Sequence, residues 1–75
     1  MNKTKSFAAN IALNRYLTGL DSPIKIAKSR DIREYCRISP NVLSSWRRNI
    51  TPIPWPFFDK ITSAIGEDIF VGIEK

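Results

Sequence analysis

Short polar side chains in the middle of the chain are the residues best suited to bind a ligand through hydrogen bonds. Asn41 is followed by Ser44 and Ser45, three and four positions later, so a helix would place all three on one face. Asn and Ser are poor helix formers, whereas a merely solvated face is usually rich in Lys and Glu. Asn can pair with N6 and N7 of adenine, and Ser with several bases. We therefore interpret them as candidates for contacts to base edges, against the alternative that they are tolerated surface residues near a helix cap.

Positive charge is concentrated around these residues. The formal net charge is +5, and residues 25–48 contain seven Lys and Arg against two Asp and Glu, which is the whole excess. Such an excess suits a polyanionic partner such as DNA, RNA or an anionic membrane surface. Arg47 and Arg48 at the end of one helix, with Lys28 and Arg30 at the start of another, would flank a groove and meet phosphates. The alternative for the arginine pair is a favourable interaction with the helix dipole.

Catalytic and metal-binding chemistry has little support in the sequence. His is absent and Cys36 is the only cysteine, which excludes a Cys/His zinc site, a His-based catalytic site and an internal disulfide. A lone cysteine at an apolar helix position is more often a small core residue than a nucleophile. There is no Gly-rich phosphate loop and no paired-carboxylate signal. We expect neither an enzyme nor a cofactor, a metal or a small-molecule substrate.

The length of 75 residues, of which 43% are hydrophobic, predicts one small domain over residues 1–75 with a modest core. Residues 1–5 are polar and are expected to be disordered. The longest apolar runs have only a few residues, so no membrane contact is expected. Asn10 and Asn14 interrupt the apolar part of the N-terminal segment, which does not look like a signal peptide. We expect a reduced, cytoplasmic location.

Capping residues and glycines predict the helices that position these side chains. Ser6 can cap a helix running to about Thr18, and Ser29 can cap a short helix over 30–36. Ser39 followed by Pro40 is the clearest start signal in the chain, for a helix running to about Arg48.

A further helix is predicted near the C-terminus. It is predicted over 55–65, with Pro56 at its start and Gly66 at its end.

Two segments remain ambiguous. In residues 20–28, Ser22-Pro23 could start a helix, but Ile24 and Ile26 alternate as in a short strand. Near the C-terminus, the alternation of Ile69, Val71 and Ile73 favours a strand that could pair with residues 24–27, over one more helical turn.

The predicted helices 30–36 and 40–48 are separated by only three residues, which is the arrangement of a helix-turn-helix unit. In DNA-binding examples the second helix lies in the major groove with its N-terminal residues at the base edges. Apolar residues at suitable spacing would join the two helices. They are Ile32, Cys36, Ile38, Leu43 and Trp46. Trp46 is expected in the core, while Trp55 could either cover the core or form an exposed contact surface.

The order of these motifs resembles the helix-turn-helix domain of temperate-phage CI-type repressors, the lambda-repressor-like family, over about residues 29–68. The matching motifs are Ile38-Ser39, Ser44-Ser45-Trp46-Arg47-Arg48, Ile53-Pro54 and the helix that ends at Gly66. The chain departs from the family at Arg33, where Ala is usual because the helices cross closely. It also departs at Arg37, where the turn usually has a left-handed Gly.

The resemblance implies a mainly α fold, a compact four- to five-helix domain with its helix-turn-helix unit at about 29–48, with or without a short C-terminal β-strand. It also implies which positions read bases and which lie near the DNA backbone. The base-reading positions are Ser39, Pro40, Asn41, Ser44 and Ser45. The phosphate positions, together with those expected from charge and from helix N-termini, are Lys28, Ser29, Arg30, Arg47, Arg48, Asn49 and Thr51.

The function expected from these features is sequence-specific binding of double-stranded DNA by a transcription regulator. It would act as a homodimer on a palindromic operator, in the cytoplasm of a bacterial host cell and associated with its nucleoid. Full-length family repressors carry a C-terminal dimerisation domain, so we expect a domain fragment or a small Cro- or CII-like regulator. The apolar segment 68–73 is expected either to self-associate or to pack on the chain's own core.

A protein-interaction module, such as an antitoxin or anti-repressor, is the alternative function. Its support is the expected exposure of Trp55, Phe57 and the C-terminal apolar run, because aromatic side chains dominate such interfaces.

Overall fold

A computed structural model describes residues 7–73 of the chain, which form four helices and contain no strand. The helices are α1 (Ala8–Thr18), α2 (Ser22–Cys36), α3 (Pro40–Arg47) and α4 (Pro56–Ile65). The mainly helical prediction is confirmed, and the Cα radius of gyration of 11.9 Å is that of a compact domain. The expected disorder of residues 1–5 and the expected cap at Ser6 lie outside the described residues.

α2 is one helix of 15 residues, which confirms the alternative that Ser22-Pro23 starts a helix over the alternative of a short strand. It begins at Ser22 with Pro23 in its first turn, where a missing N–H costs nothing. Ser29 therefore lies within the helix, and the prediction that it caps a separate helix is wrong. The alternation of Ile24 and Ile26 does not mark a strand, because both side chains are largely exposed on the helix surface.

The start and end of α3 are set by local capping. The Ser39 hydroxyl oxygen accepts a hydrogen bond from the Val42 N–H at 3.3 Å, which confirms the predicted cap, and Pro40 is the first helical residue. After Arg47 the chain leaves the helix through Asn49, whose φ is 59°, and the Ile50 N–H donates to the Ser45 carbonyl at 2.9 Å. Asn tolerates this left-handed conformation better than most residues.

The turn between α2 and α3 also uses a left-handed residue. Arg37 has φ 56° and ψ 48°, a left-handed conformation that Gly adopts with the least strain. The Ile38 N–H donates to the Arg33 carbonyl at 3.0 Å, which closes the end of α2. Arginine thus occupies a position that glycine would fill with less strain.

One core joins all four helices, with α2 packed most extensively against α4, and α1 packed against α3 and α2. Ile32, Cys36, Leu43 and Trp46 are buried in it and Ile38 is packed against it, which confirms that these positions face inward. α2 and α3 themselves make little contact, so the prediction that these residues join the two helices to each other is not confirmed. The Trp46 and Phe57 ring centroids lie 5.3 Å apart. Trp46 is therefore a core residue, as the sequence predicts.

The C-terminal segment turns back onto the core instead of forming a strand. Phe70 is buried and stacks on Phe58 with ring centroids 4.5 Å apart, and its N–H donates to the Asp68 carboxylate at 2.9 Å. The strand predicted from the alternation of Ile69, Val71 and Ile73 is wrong. Val71 is 77% exposed, and Phe70 is the buried residue. Gly72, with φ 83°, turns the chain at this point.

The helices of the described part of the chain are all too short or too polar to cross a membrane.

Candidate nucleic-acid interface

The outward face of α3 brings together four of the predicted contact residues. Asn41, Ser44 and Arg48 are exposed, and Ser45 is half-buried beside them. Leu43 and Trp46 lie on the opposite face and anchor the helix in the core. Spacings of three and four residues place polar groups outward because the helix repeats every 3.6 residues. α3 therefore presents an uncharged hydrogen-bonding surface that ends in a cation.

The N-terminus of α3 adds two of the predicted base-reading residues. Ser39 and Pro40 are both exposed, but the Ser39 hydroxyl oxygen is already used as the helix cap. Ser39 keeps an O–H that can donate. Pro40 offers an apolar ring, which suits contact with a thymine methyl group better than hydrogen bonding.

An open groove of about 340 Å³ lies between α2 and α3, which do not pack closely against each other. Its lining residues are Asn14, Ser29, Arg33, Pro40, Leu43, Ser44, Arg47 and Arg48. Three of them are arginines and none is acidic. The groove therefore carries a concentrated positive charge directly beside the outward face of α3.

Arg47 is fixed in this groove by a residue of α1. Its Nε donates to Oδ1 of Asn14 at 3.0 Å, and both side chains are half-buried. These two residues also line a second cleft of about 430 Å³, which they share with Arg15 and Asn49. The positive surface thus continues from α3 onto α1.

Asn10 holds the segment that follows α3. Its side chain is fully buried, and its Nδ2 donates to the carbonyls of Trp46 at 2.9 Å and Thr51 at 2.7 Å. Its Oδ1 accepts from the Ile53 N–H at 3.1 Å. The end of α3 and the loop after it are thereby tied to α1.

We did not predict from the sequence that Asn10 and Asn14 position the site. Two Asn four residues apart in an otherwise apolar helix are the signal that could have found them, because such a spacing places both on one face. Arg33 was also missed as a groove residue, although it lies four residues after Ser29 and so on the same side of α2.

The remaining predicted phosphate contacts divide into two groups. Arg30, Asn49 and Thr51 are exposed. Lys28 is not brought to the groove, because its Nζ donates to the Ile65 carbonyl at 3.4 Å, at the C-terminal end of α4. Its cation interacts with that helix end.

Among residues 7–73, the Tyr16 and Cys36 side chains have shifted pKa values, and neither lies in the groove. Burial raises the pKa of the Cys36 thiol to about 11, although the Lys60 charge acts in the opposite direction. Burial raises the pKa of the Tyr16 phenol, and the Glu67 carboxylate adds to this effect. A raised thiol pKa disfavours a nucleophilic thiolate at neutral pH.

Across residues 7–73, no three His, Cys, Asp or Glu side chains are grouped closely enough to hold a metal ion. Comparisons with known proteins found no match to this chain among protein-family models, curated proteins or solved structures.

Proposed function

We propose that this chain is a sequence-specific double-stranded DNA-binding regulator of transcription, a lambda-repressor-like helix-turn-helix protein that reads the major groove with α3. The observation that carries the proposal is the division of α3 between a buried face, Leu43 and Trp46, and an exposed face, Asn41, Ser44 and Arg48. A helix inserted in the major groove needs this division, since one side must be anchored while the other meets base edges.

The groove arginines supply the second part of DNA binding, the contacts to phosphates. Arg33, Arg47 and Arg48 line one groove with no carboxylate in its lining. Contacts to phosphates orient the protein and provide most of the affinity, while base contacts supply specificity. Arg30 is exposed on α2, three residues before Arg33, and extends the same positive surface.

A dimer on a palindromic operator is the arrangement that fits so short a reading helix. α3 has eight residues and reaches only a few base pairs, whereas two copies on two half-sites multiply the specificity. Regulation would follow from occupancy of a promoter, by which bound protein excludes or recruits polymerase. A phage-type repressor or a Cro- or CII-like regulator works in this way.

A protein-interaction module, such as an antitoxin or anti-repressor, is the second candidate. Trp55 is 58% exposed at the start of α4, and Ile50 is 55% exposed in the preceding loop. Exposed aromatic side chains are common anchors of protein interfaces. Phe57 does not contribute to such a surface, because it is half-buried against Trp46.

Titration of a random-sequence duplex at low and at moderate salt separates the two candidates. We expect binding at low salt that weakens steeply as salt is added, since phosphate contacts release counterions. Trp55→Ala should leave this binding unchanged, because Trp55 lies outside the groove between α2 and α3. Absence of binding even at low salt would contradict the first candidate and favour the second.

A further inference from the structure

Arg33 occupies the place where α2 and α3 face each other, and its side chain lines the groove between them. The residue is half-buried, yet its side chain makes no hydrogen bond or ion pair with any other residue in the described part of the chain. Its guanidinium group therefore belongs to the lining of the space between the two helices. Among residues 7–73, no carboxylate forms an ion pair with its charge.

Several other side chains that line the groove carry hydrogen-bond donors. Arg47 uses Nε to hold Asn14, so its guanidinium is oriented while four of its five N–H groups remain for a ligand. Arg48 lines the groove from the exposed side, and Ser29 and Ser44 add hydroxyl groups. Three like charges around one space repel each other, and an anion between them would remove that repulsion.

The arginines and the volume of the groove suit a phosphate group. Arginine matches the geometry of phosphate oxygens and can donate two parallel hydrogen bonds to them. A volume of about 340 Å³ is open to a phosphate group with several waters, each of which takes about 30 Å³ in the liquid.

We propose that the groove between α2 and α3 is a phosphate-binding pocket in which Arg33 is the main anchor. Arg47, Arg48 and Ser44 supply the remaining donors. The phosphate comes either from the DNA backbone, an assignment that rests on the proposed function, or from a small phosphorylated molecule. The pocket itself is a property of these side chains and can be tested without DNA.

Titration of the whole chain with pyrophosphate, followed by the ¹H–¹⁵N signals of its backbone and arginine side chains, tests the pocket. We expect saturable shifts in the groove residues. Arg33→Gln, which keeps much of the length without the charge, should weaken binding at least tenfold. Lys60→Gln is the charge-matched control, since Lys60 is exposed on α4 and does not line the groove, and it should bind within twofold of the unchanged chain.

A second variant, Ser44→Asp, tests the pocket even if Arg33→Gln does not fold. Ser44→Asp places a carboxylate in the groove at an exposed position, so the fold should tolerate it while pyrophosphate binding is lost. Absence of saturable pyrophosphate binding to the unchanged chain would overturn the pocket, whatever the chain does with DNA. Binding by Arg33→Gln or Ser44→Asp that is as tight as that of the unchanged chain would overturn it as well.

Duplex DNA then distinguishes the two sources of phosphate. If DNA supplies it, Arg33→Gln should reduce the slope of log affinity against log salt by about 1. If Arg33→Gln no longer binds pyrophosphate but its DNA binding has the same slope of log affinity against log salt, the pocket is supported and its ligand is a small phosphorylated molecule. Pyrophosphate binding by a chain that binds no DNA would likewise support the pocket, while contradicting the proposed function.

Discussion

The side-chain oxygen of Asn10 accepts a hydrogen bond from the backbone N–H of Ile53 at 3.1 Å, in the buried centre of the domain. The two residues are 43 positions apart. The same carboxamide donates to two carbonyls on the chain between them, so one side chain satisfies three backbone groups. This arrangement connects α1 to the loop that ends the proposed reading helix.

Replacement of Asn10 by Ala should therefore destabilise the whole domain. It removes the hydrogen bonds that Asn10 makes to the buried Ile53 N–H and to the Thr51 carbonyl, and one of the two bonds of the Trp46 carbonyl, which also accepts from the Asn49 N–H. Each buried group left without a partner costs about 1–3 kcal/mol. We expect a loss of roughly 3 kcal/mol or more in the free energy of unfolding, measured by urea denaturation. Asn14→Ala is the control, because its half-buried side chain makes a single hydrogen bond and should cost about 1 kcal/mol or less. Equal losses for the two variants would contradict this account.

Arg37→Gly should make the protein more stable. Arg37 is held at φ 56°, a conformation that costs a residue with a Cβ about 1–2 kcal/mol. The greater freedom of Gly in the unfolded chain offsets part of this gain, about 0.4–1 kcal/mol. A net gain of roughly 0.5–1 kcal/mol should appear in urea denaturation. Arg37→Ala removes the same charge but keeps the strain, so an equal gain from Ala would show that charge, not backbone conformation, is responsible.

The buried thiol of Cys36 should make stability depend on alkaline pH. Its pKa is raised from the ordinary value of 9.0 to about 11, so the folded state holds the proton more tightly than the unfolded state. The stabilisation is therefore complete below pH 9 and is lost as pH rises towards about 11, by at most about 3 kcal/mol. Cys36→Ala should show a flatter decline over this range. Parallel curves for the two proteins would rule out this role of the thiol.

Local signals in the sequence were sufficient to predict where α3 and α4 begin and end. Ser39-Pro40, Pro56 and Gly66 act through hydrogen bonds and dihedral preferences within a few residues, and the structure places the helix ends where these residues predict them. The polar outward face of α3 follows from the same short-range periodicity.

Long-range packing decided the features that the sequence did not predict. The alternation of Ile24 and Ile26 left a short strand open as an alternative to a helix, yet α2 continues through both residues and both are exposed. Asn10 is buried because its partners return from more than 35 residues away, whereas its spacing from Asn14 shows only that the two share a face of α1. Arg33 became a groove residue through the spacing of α2 from α3, which depends on the whole core.

Arg48→Ala should weaken DNA binding without changing sequence preference. Arg48 is exposed at the end of α3 and lines the groove, where a cation meets phosphate rather than a base. We expect similar losses on all duplexes and a decrease of about 1 in the slope of log affinity against log salt. Lys60→Ala is the charge-matched control, because Lys60 is exposed on α4 outside the groove. A loss confined to one duplex sequence would contradict the phosphate role.

The central claim is that Asn41 and its neighbours on α3 read DNA sequence, and selection of bound duplexes from a random pool tests it most directly. We predict that the unchanged chain enriches a palindromic consensus. Asn41→Ala should relax the preference at one base pair in each half-site, with a cost of about 1–3 kcal/mol on the best duplex. No enriched sequence with the unchanged chain, or an unaltered consensus with Asn41→Ala, would contradict the account.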